Sequence, residues 1–168
     1  AHALADAGIN PKVDSLERKK RVGIIAGIGA EQLKDWECDF LDNGRDVFEA
    51  SRQPSLVHRV AHMLGVNGPV TTVAAACASS GYALALGKTW LTNGLVDACV
   101  VGGCDVLSPT ALAAFHNLRA LSRRDDDPQK ASRPFDRNRD GFVMGEGGVF
   151  FALERQRAAE DRQCKIYG

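Results

Sequence analysis

Val70-Thr71-Thr72-Val73-Ala74-Ala75-Ala76-Cys77-Ala78-Ser79-Ser80-Gly81 is the segment on which the whole chain turns. Its first four residues are β-branched or apolar, as a pleated strand prefers. No charge interrupts Val70 to Ala76, which reads as a strand buried in a sheet. The side chains then shrink to a run of alanines, and Ser79 to Leu91 is Ala/Leu-rich and helical. Cys77 therefore stands in a short strand-to-helix turn, at the N-terminal end of the predicted helix. Unpaired amides and the helix dipole favour a thiolate at such a place. Small neighbours leave room for a ligand to reach the sulfur, and the backbone N–H can face an oxyanion. The plain alternative is a small buried hydrophobe, the commonest fate of a free cysteine. Position alone leaves both readings open.

The same alternation extends outward. Upstream, Arg21 to Gly27 is a short apolar run ending in glycine, a second buried strand. Between the two, Glu31 to Leu41 carries Leu33, Trp36, Phe40 and Leu41 at helical spacing. Pro54 to Leu64 places Leu56, Val57, Val60, Ala61 and Leu64 on one helical stripe. Ala1 to Gly8 reads as the end of a helix stopped by glycine. Downstream, Asp97 to Gly103 is a third buried strand, and Pro109 to Leu118 is a helix behind the N-cap candidate Ser108. Leu121 to Arg139 is a charged loop with two prolines. Gly147 to Leu153 is a last strand, followed by a charged helix near Glu154 to Arg162. Apolar strands alternating with helices predict α/β layers, with helices covering a sheet.

Composition narrows the function classes. The 168 residues suit one domain with a real core. Hydrophobic residues make up 45% and charged residues 25%, an ordinary globular mix. Lys plus Arg and Asp plus Glu both number 21, so the net charge of zero argues against a nucleic-acid-coating protein. No apolar stretch reaches the roughly 18 residues of a membrane span. The first ten residues lack the pattern of a signal peptide. The five cysteines (Cys38, Cys77, Cys99, Cys104 and Cys164) are odd in number and irregularly spaced, which fits a reducing, cytoplasmic setting. Cys99 and Cys104 lie within or just after a strand and read as packing.

Other motifs fall short of chemistry. Gly27-Ile28-Gly29 opens like a dinucleotide fingerprint, but the third glycine position holds Gln32, so a tight turn is the better reading. Asp136, Asn138, Asp140 and Gly141 open like a calcium loop, yet Gly147 stands where the bidentate glutamate belongs. His58 and His62 are four apart on a helix without the glutamate of a zinc-protease motif. No metal site is expected.

The segment Ala76-Cys77-Ala78-Ser79-Ser80-Gly81 resembles the nucleophile segment of β-ketoacyl-[acyl-carrier-protein] synthases. The resemblance continues through Gly102-Gly103-Cys104-Asp105, Ser108-Pro109, Ala114-Phe115 and Arg119-Ala120-Leu121-Ser122. It runs on through Ala131-Ser132-Arg133-Pro134-Phe135-Asp136 and the Arg139-Asp140-Gly141-Phe142-Val143-Met144-Gly145-Glu146-Gly147 run. Several motifs in the right order and spacing cover most of the chain. The family often has Thr or Ser at Ala74 and Ala75, and the stretch from Asn43 to Leu64 looks short beside the bacterial chain-elongating synthases.

The resemblance implies a thiolase-like layered sandwich, of which residues 1–168 would be one incomplete half, a partial N-terminal synthase domain. It implies an acyltransferase of fatty acid or polyketide synthesis. Cys77 takes an acyl group from a carrier-protein thioester, and a decarboxylated malonyl unit then attacks the acyl-cysteine. No cofactor is implied in this chain, since the thiol donor arm is the phosphopantetheine of the acyl carrier protein. Phe115 and Ile28 match acyl-pocket positions, and both also suit ordinary core residues. Arg119 matches an arginine that faces the carrier protein, and Arg45 and Arg124 are assigned to the same patch. Arg123 and Arg124 have a competing explanation as partners of Asp125, Asp126 and Asp127. Asp136, Arg139, Asp140 and Glu146 are expected to be structural, and Gly145-Glu146-Gly147 to pass close to the core.

The family's two active-site histidines and its lysine match nothing in this sequence, so the 168-residue chain is expected not to condense alone. A homodimer is expected, pairing through the strand that leads into Cys77. A non-catalytic chain-length-factor-like partner of a ketosynthase is the alternative, but such partners usually replace the cysteine. An unrelated thiol hydrolase needs a histidine base that no motif supplies.

Overall fold

The computed structural model describes residues 1–12, 20–29, 33–42, 44 and 54–168. They divide into two compact units. The first unit comprises Ala1–Glu31, Phe48–Asp105 and Gly148–Gly168, and the second Gln32–Val47 and Val106–Gly147.

The first unit is built on one four-stranded sheet. Its strands are β1 (Val22–Gly27), β2 (Val70–Val73), β3 (Ala98–Asp105) and β4 (Gly147–Glu154), in the order β2-β1-β3-β4. β1 is parallel to both β2 and β3. Ile24 faces Val70 and Gly27 faces Val73 across one side, and Gly27 faces Gly103 across the other. From Gly102 to Cys104 the neighbouring positions on the last strand fall from Phe150 to Gly148, the order of an antiparallel pair.

Every residue of β1 is buried, as a continuous apolar run predicts for a central parallel strand. Alternation sends its side chains to two cores. Ile24 and Ala26 join Leu4, Val57, Ala61 and Val100 on one face, under α1 (His2–Asp6) and α3 (Leu56–Leu64). Ile25 joins Ala83, Leu91, Cys99 and Val101 on the other, under α4 (Ser79–Thr92). Helices thus cover both faces, giving the layered α/β arrangement expected. Ile25 is fully buried, and truncating it to alanine should cost about 2–5 kcal/mol.

Three local readings are refined. β2 stops at Val73 and is half-buried, because Ala74 to Ala76 already turn and the strand pairs on one side only among the described residues. On α3, Val57 and Ala61 are buried while Leu56 and Val60 face outward, so the buried stripe is narrower than the apolar one. β4 exposes Val149 and Phe151, so it is not buried on both faces.

The two ends of the unit are tied together by charge. Glu154 is 7% exposed and accepts from Arg162 at 2.6 Å and from Lys20. Arg162 also donates to Ala7 O and thereby fastens α6 (Gln156–Asp161) to the N-terminal helix. Asp97 holds Arg21 and Arg155 at 3.3 and 3.2 Å.

The second unit contains α2 (Leu33–Leu41), α5 (Pro109–Asn117) and a 3-10 turn at Pro128–Lys130. Ser108 caps α5 as expected, accepting from Ala111 N–H at 3.0 Å, with Pro109 in the first turn. Thr110 N–H donates to Glu37 at 2.7 Å and links α5 to α2. A bridge between Leu121 and Phe142 closes the long loop.

Candidate active site

β1 and β2 end level at Gly27 and Val73, β3 runs on to Asp105 past the paired Gly103, and the turn carrying Cys77 leaves the sheet at those carboxyl ends. In parallel α/β sheets this edge is where ligands collect. Ala76, directly before the cysteine, has φ +49°, a left-handed conformation costing an L-residue about 1–2 kcal/mol. Local strain of this kind persists only where the surrounding structure holds it in place.

A single buried hydroxyl holds the turn. Ser79 Oγ accepts from Ala75 N–H at 2.9 Å and donates to Ala76 O at 2.7 Å. Ala78 N–H and Ser79 N–H close the same turn onto Ala75 O and Ala76 O. The Cys77 side chain is exposed, flanked by exposed Ala76 and Ala78.

Two glycines let α4 start where it does. A Cβ on Gly27 would lie 2.5 Å from Ser80 N, inside the helix backbone. A Cβ on Gly103 would lie 2.7 Å from Gly27 O. The ends of β1 and β3 thus form a flat floor under the first turn of α4. In Gly27-Ile28-Gly29 the close approach is therefore at Gly27, and the residues that would complete the expected tight turn into a helix lie outside the described ones. Ser79, Gly27 and Gly103 went unremarked as site residues in the sequence. Their signal was glycine at the end of two strands and a serine two residues past the cysteine.

The other thiols differ from Cys77. Cys99 is buried against Gly87 O, and burial pushes its thiol up to about 12. Cys104 and Cys164 are half-buried, and Cys38 is exposed on α2. Cys99 matches its reading as packing.

Ile28 lies in the first unit and is buried in the core with Ile24, Ala26 and Val57. Phe115 lies in the second unit, half-buried on α5, with its ring edge-on to Phe142 at 5.1 Å. Arg119 is exposed and has φ +55°. Its N–H donates to His116 O at 2.9 Å, and Ala120 N–H donates to Phe115 O at 3.1 Å. These two bonds form the cap that usually places glycine where Arg119 stands. Arg124 is half-buried. Among the described residues neither Arg123 nor Arg124 forms an ion pair with Asp125, Asp126 or Asp127; Asp127 pairs with Lys130 instead. Arg45 lies outside the described residues.

The charged loop behaves as structure. Asp136 Oδ1 accepts from Asn138 N–H at 2.6 Å and Glu146 accepts from Leu107 N–H at 3.1 Å. Among the described residues no three His, Cys, Asp or Glu side chains gather as metal ligands. Gly145 and Gly147 differ from expectation: a Cβ on either would meet nothing within 4 Å. The glycine that permits close approach in this region is Gly141, whose Cβ would lie 2.6 Å from Leu121 O. Among the described residues no helix is long and apolar enough to cross a membrane.

Comparison with known proteins agrees with this geometry. Residues 1–159 match the family model described as beta-ketoacyl synthase, N-terminal domain. The chain is 36% identical to the tetracenomycin polyketide synthase ketoacyl synthase alpha subunit of Streptomyces glaucescens, over 98% of this chain and 42% of that protein. It is 37% identical to 3-oxoacyl-[acyl-carrier-protein] synthase 2 of Synechocystis, over 88% of this chain and 38% of that protein. A crystal structure of a beta-ketoacyl synthase from Burkholderia phymatum superposes with a TM-score of 0.79 at 30% identity, covering 98% of this chain and 42% of that one. The chain thus spans about two-fifths of the length of these relatives. With residues 1–159 of its 168 matched by the family model, the chain belongs to the β-ketoacyl synthase family, as part of its N-terminal domain.

Proposed function

We propose that the protein is a β-ketoacyl-[acyl-carrier-protein] synthase and that Cys77 is its nucleophile. The observation that carries this reading is an exposed cysteine on a strained turn at the carboxyl ends of three parallel strands. The Cys77 thiol gives up its proton and its sulfur attacks the carbonyl of an acyl thioester. A C–S bond forms, the tetrahedral oxyanion collapses, and the phosphopantetheine thiol of the carrier protein leaves with a proton. The Cys77 N–H is the oxyanion donor we assign in this chain, because the Ala78 and Ser79 amides are already engaged in the turn. A malonyl thioester then loses CO2, and its carbanion attacks the acyl-cysteine to give the β-ketoacyl product and free Cys77. The proton-handling groups of that second step match no motif among His2, His58, His62 and His116.

Acyl transfer by this route uses no metal or redox cofactor. Ile28 in the first unit and Phe115 in the second are each assigned, by resemblance alone, to acyl-lining positions; Ile28 itself is packed in the core with Ile24, Ala26 and Val57. Arg119, Arg124 and Arg45 are assigned to the acidic carrier protein, with a strained, exposed Arg119 as the strongest support. A second copy of the chain is the expected partner for the side of β2 that no described strand pairs. Five free thiols suit a reducing cytoplasm.

The test is acylation. The purified protein is incubated with radiolabelled acyl-carrier protein, denatured and digested, and the labelled peptide identified. Label on the Cys77 peptide that Cys77→Ala abolishes supports the reading; label elsewhere, or none on the parent protein, overturns it.

A further inference from the structure

The segment that carries the arginines is held from one side by a residue assigned no function above. After α5, residues 120–122 run beside residue 142. Phe142 N–H donates to Ala120 O and Ser122 N–H donates to Phe142 O, both at 3.0 Å. Gly141 presses on Leu121 with no space for a side chain. The Asp140 carboxylate then closes the arrangement. Its Oδ1 accepts from Ser122 Oγ–H at 2.7 Å and its Oδ2 from Arg123 N–H at 2.9 Å. Ser122 Oγ in turn accepts from Arg124 N–H at 3.4 Å. One carboxylate thereby fastens two consecutive residues, and through Ser122 a third.

Chemistry explains why an aspartate stands there. Arg119, Arg123 and Arg124 place three cations within six residues, and like charges this close repel. A carboxylate offsets that repulsion while accepting two donors at once; an amide offers one acceptor oxygen and no charge. The Ser122 hydroxyl and Arg123 amide, with the charge of Arg124 beside them, hold the Asp140 carboxyl below the ordinary carboxylate range. An ordered surface binds more tightly than a mobile one because less freedom is lost on association.

We propose that Asp140 is a positioning residue: by clamping Ser122 and Arg123 it orders Arg123 and Arg124, beside the separately capped Arg119, as a cationic face for an acidic carrier protein. This rests on the carrier-protein reading given above. The experiment is steady-state condensation kinetics of the purified full-length synthase with acyl-carrier protein as the varied substrate. Asp140→Asn should raise the carrier KM about 5- to 10-fold, with the change in KM and not in kcat at saturation. Ser122→Ala, which keeps the Asp140–Arg123 bond, should raise it about 2- to 3-fold, and serves if Asp140→Asn fails to fold. In an Arg124→Glu background the effect of Asp140→Asn should fall below about twofold, because the clamp acts through the arginines it holds. Unchanged KM, a fall in kcat alone, or full additivity with Arg124→Glu would overturn the proposal. A parent protein that shows no saturation by carrier protein would overturn the carrier-protein reading itself, and this proposal with it.

Discussion

Arg119 offers a test that separates strain from partner binding. It occupies the left-handed position after α5, with φ +55° and both cap hydrogen bonds formed. An L-residue there costs about 1–2 kcal/mol relative to a relaxed backbone. Glycine relieves that strain but gives back about 0.5–1 kcal/mol in unfolded-chain entropy. Arg119→Gly should therefore be more stable than Arg119→Ala by about 0.5–1 kcal/mol, the two variants having lost the same charge. Comparing them with each other, and not with the parent, cancels the favourable effect of a cation at a helix C-terminus, worth about 0.3–1 kcal/mol. Against carrier protein both variants should weaken alike, by roughly 1–3 kcal/mol, or about 5- to 150-fold in affinity. Urea denaturation gives the first quantity and titration with acyl-carrier protein the second. A glycine variant no more stable than the alanine one would refute the strain argument. Undiminished carrier affinity in both would show that Arg119 sits there for the fold alone.

Three further outcomes are expected. Iodoacetamide at mildly alkaline pH should label Cys77 and spare Cys99, whose thiol is pushed up to about 12; peptide mapping that favours Cys99 would contradict the assignment. Ser79→Ala should cost about 1–3 kcal/mol and slow acylation of Cys77, because Ala75 N–H loses its partner while Ala76 O keeps only the Ser79 N–H; a variant with parent-like stability and acylation would remove Ser79 from the site. At Glu154, burial pushes the carboxyl up, but Arg162 and Lys20 outweigh it and hold it below its ordinary 4.5. The folded value being depressed, its stabilisation is present above 4.5 and is lost as pH falls through the folded value. Denaturation midpoints measured from pH 7 downward should therefore fall less steeply in Glu154→Gln than in the parent.

Much of this protein was legible from local pattern. The apolar run of β1, the β-branched start of β2 and the Ala/Leu helix after Cys77 each declare their type within a few residues. Strand, small-residue turn and helix in that order place Cys77 at a helix start before any long-range contact is considered. Ser108 and Pro109 mark the start of α5 by chemistry that acts over three residues. What tertiary structure decided are matters of distance through space. Gly27 and Gly103 lie far apart in sequence yet form one floor, because β1 and β3 pair in parallel with Gly27 opposite Gly103. Val149 and Phe151 look like core residues in the sequence and are exposed in β4, because burial depends on what covers a strand and not on its own composition. The left-handed backbone of Ala76 and Arg119 leaves no trace in residue type, since both positions would ordinarily be read as helix formers. Asp140 reaches Ser122 across 18 residues, a link made by the bridge between Leu121 and Phe142. Periodicity reports which face of an element is apolar; only packing reports which backbone atoms meet, and at Cys77 and Arg119 those meetings set the chemistry.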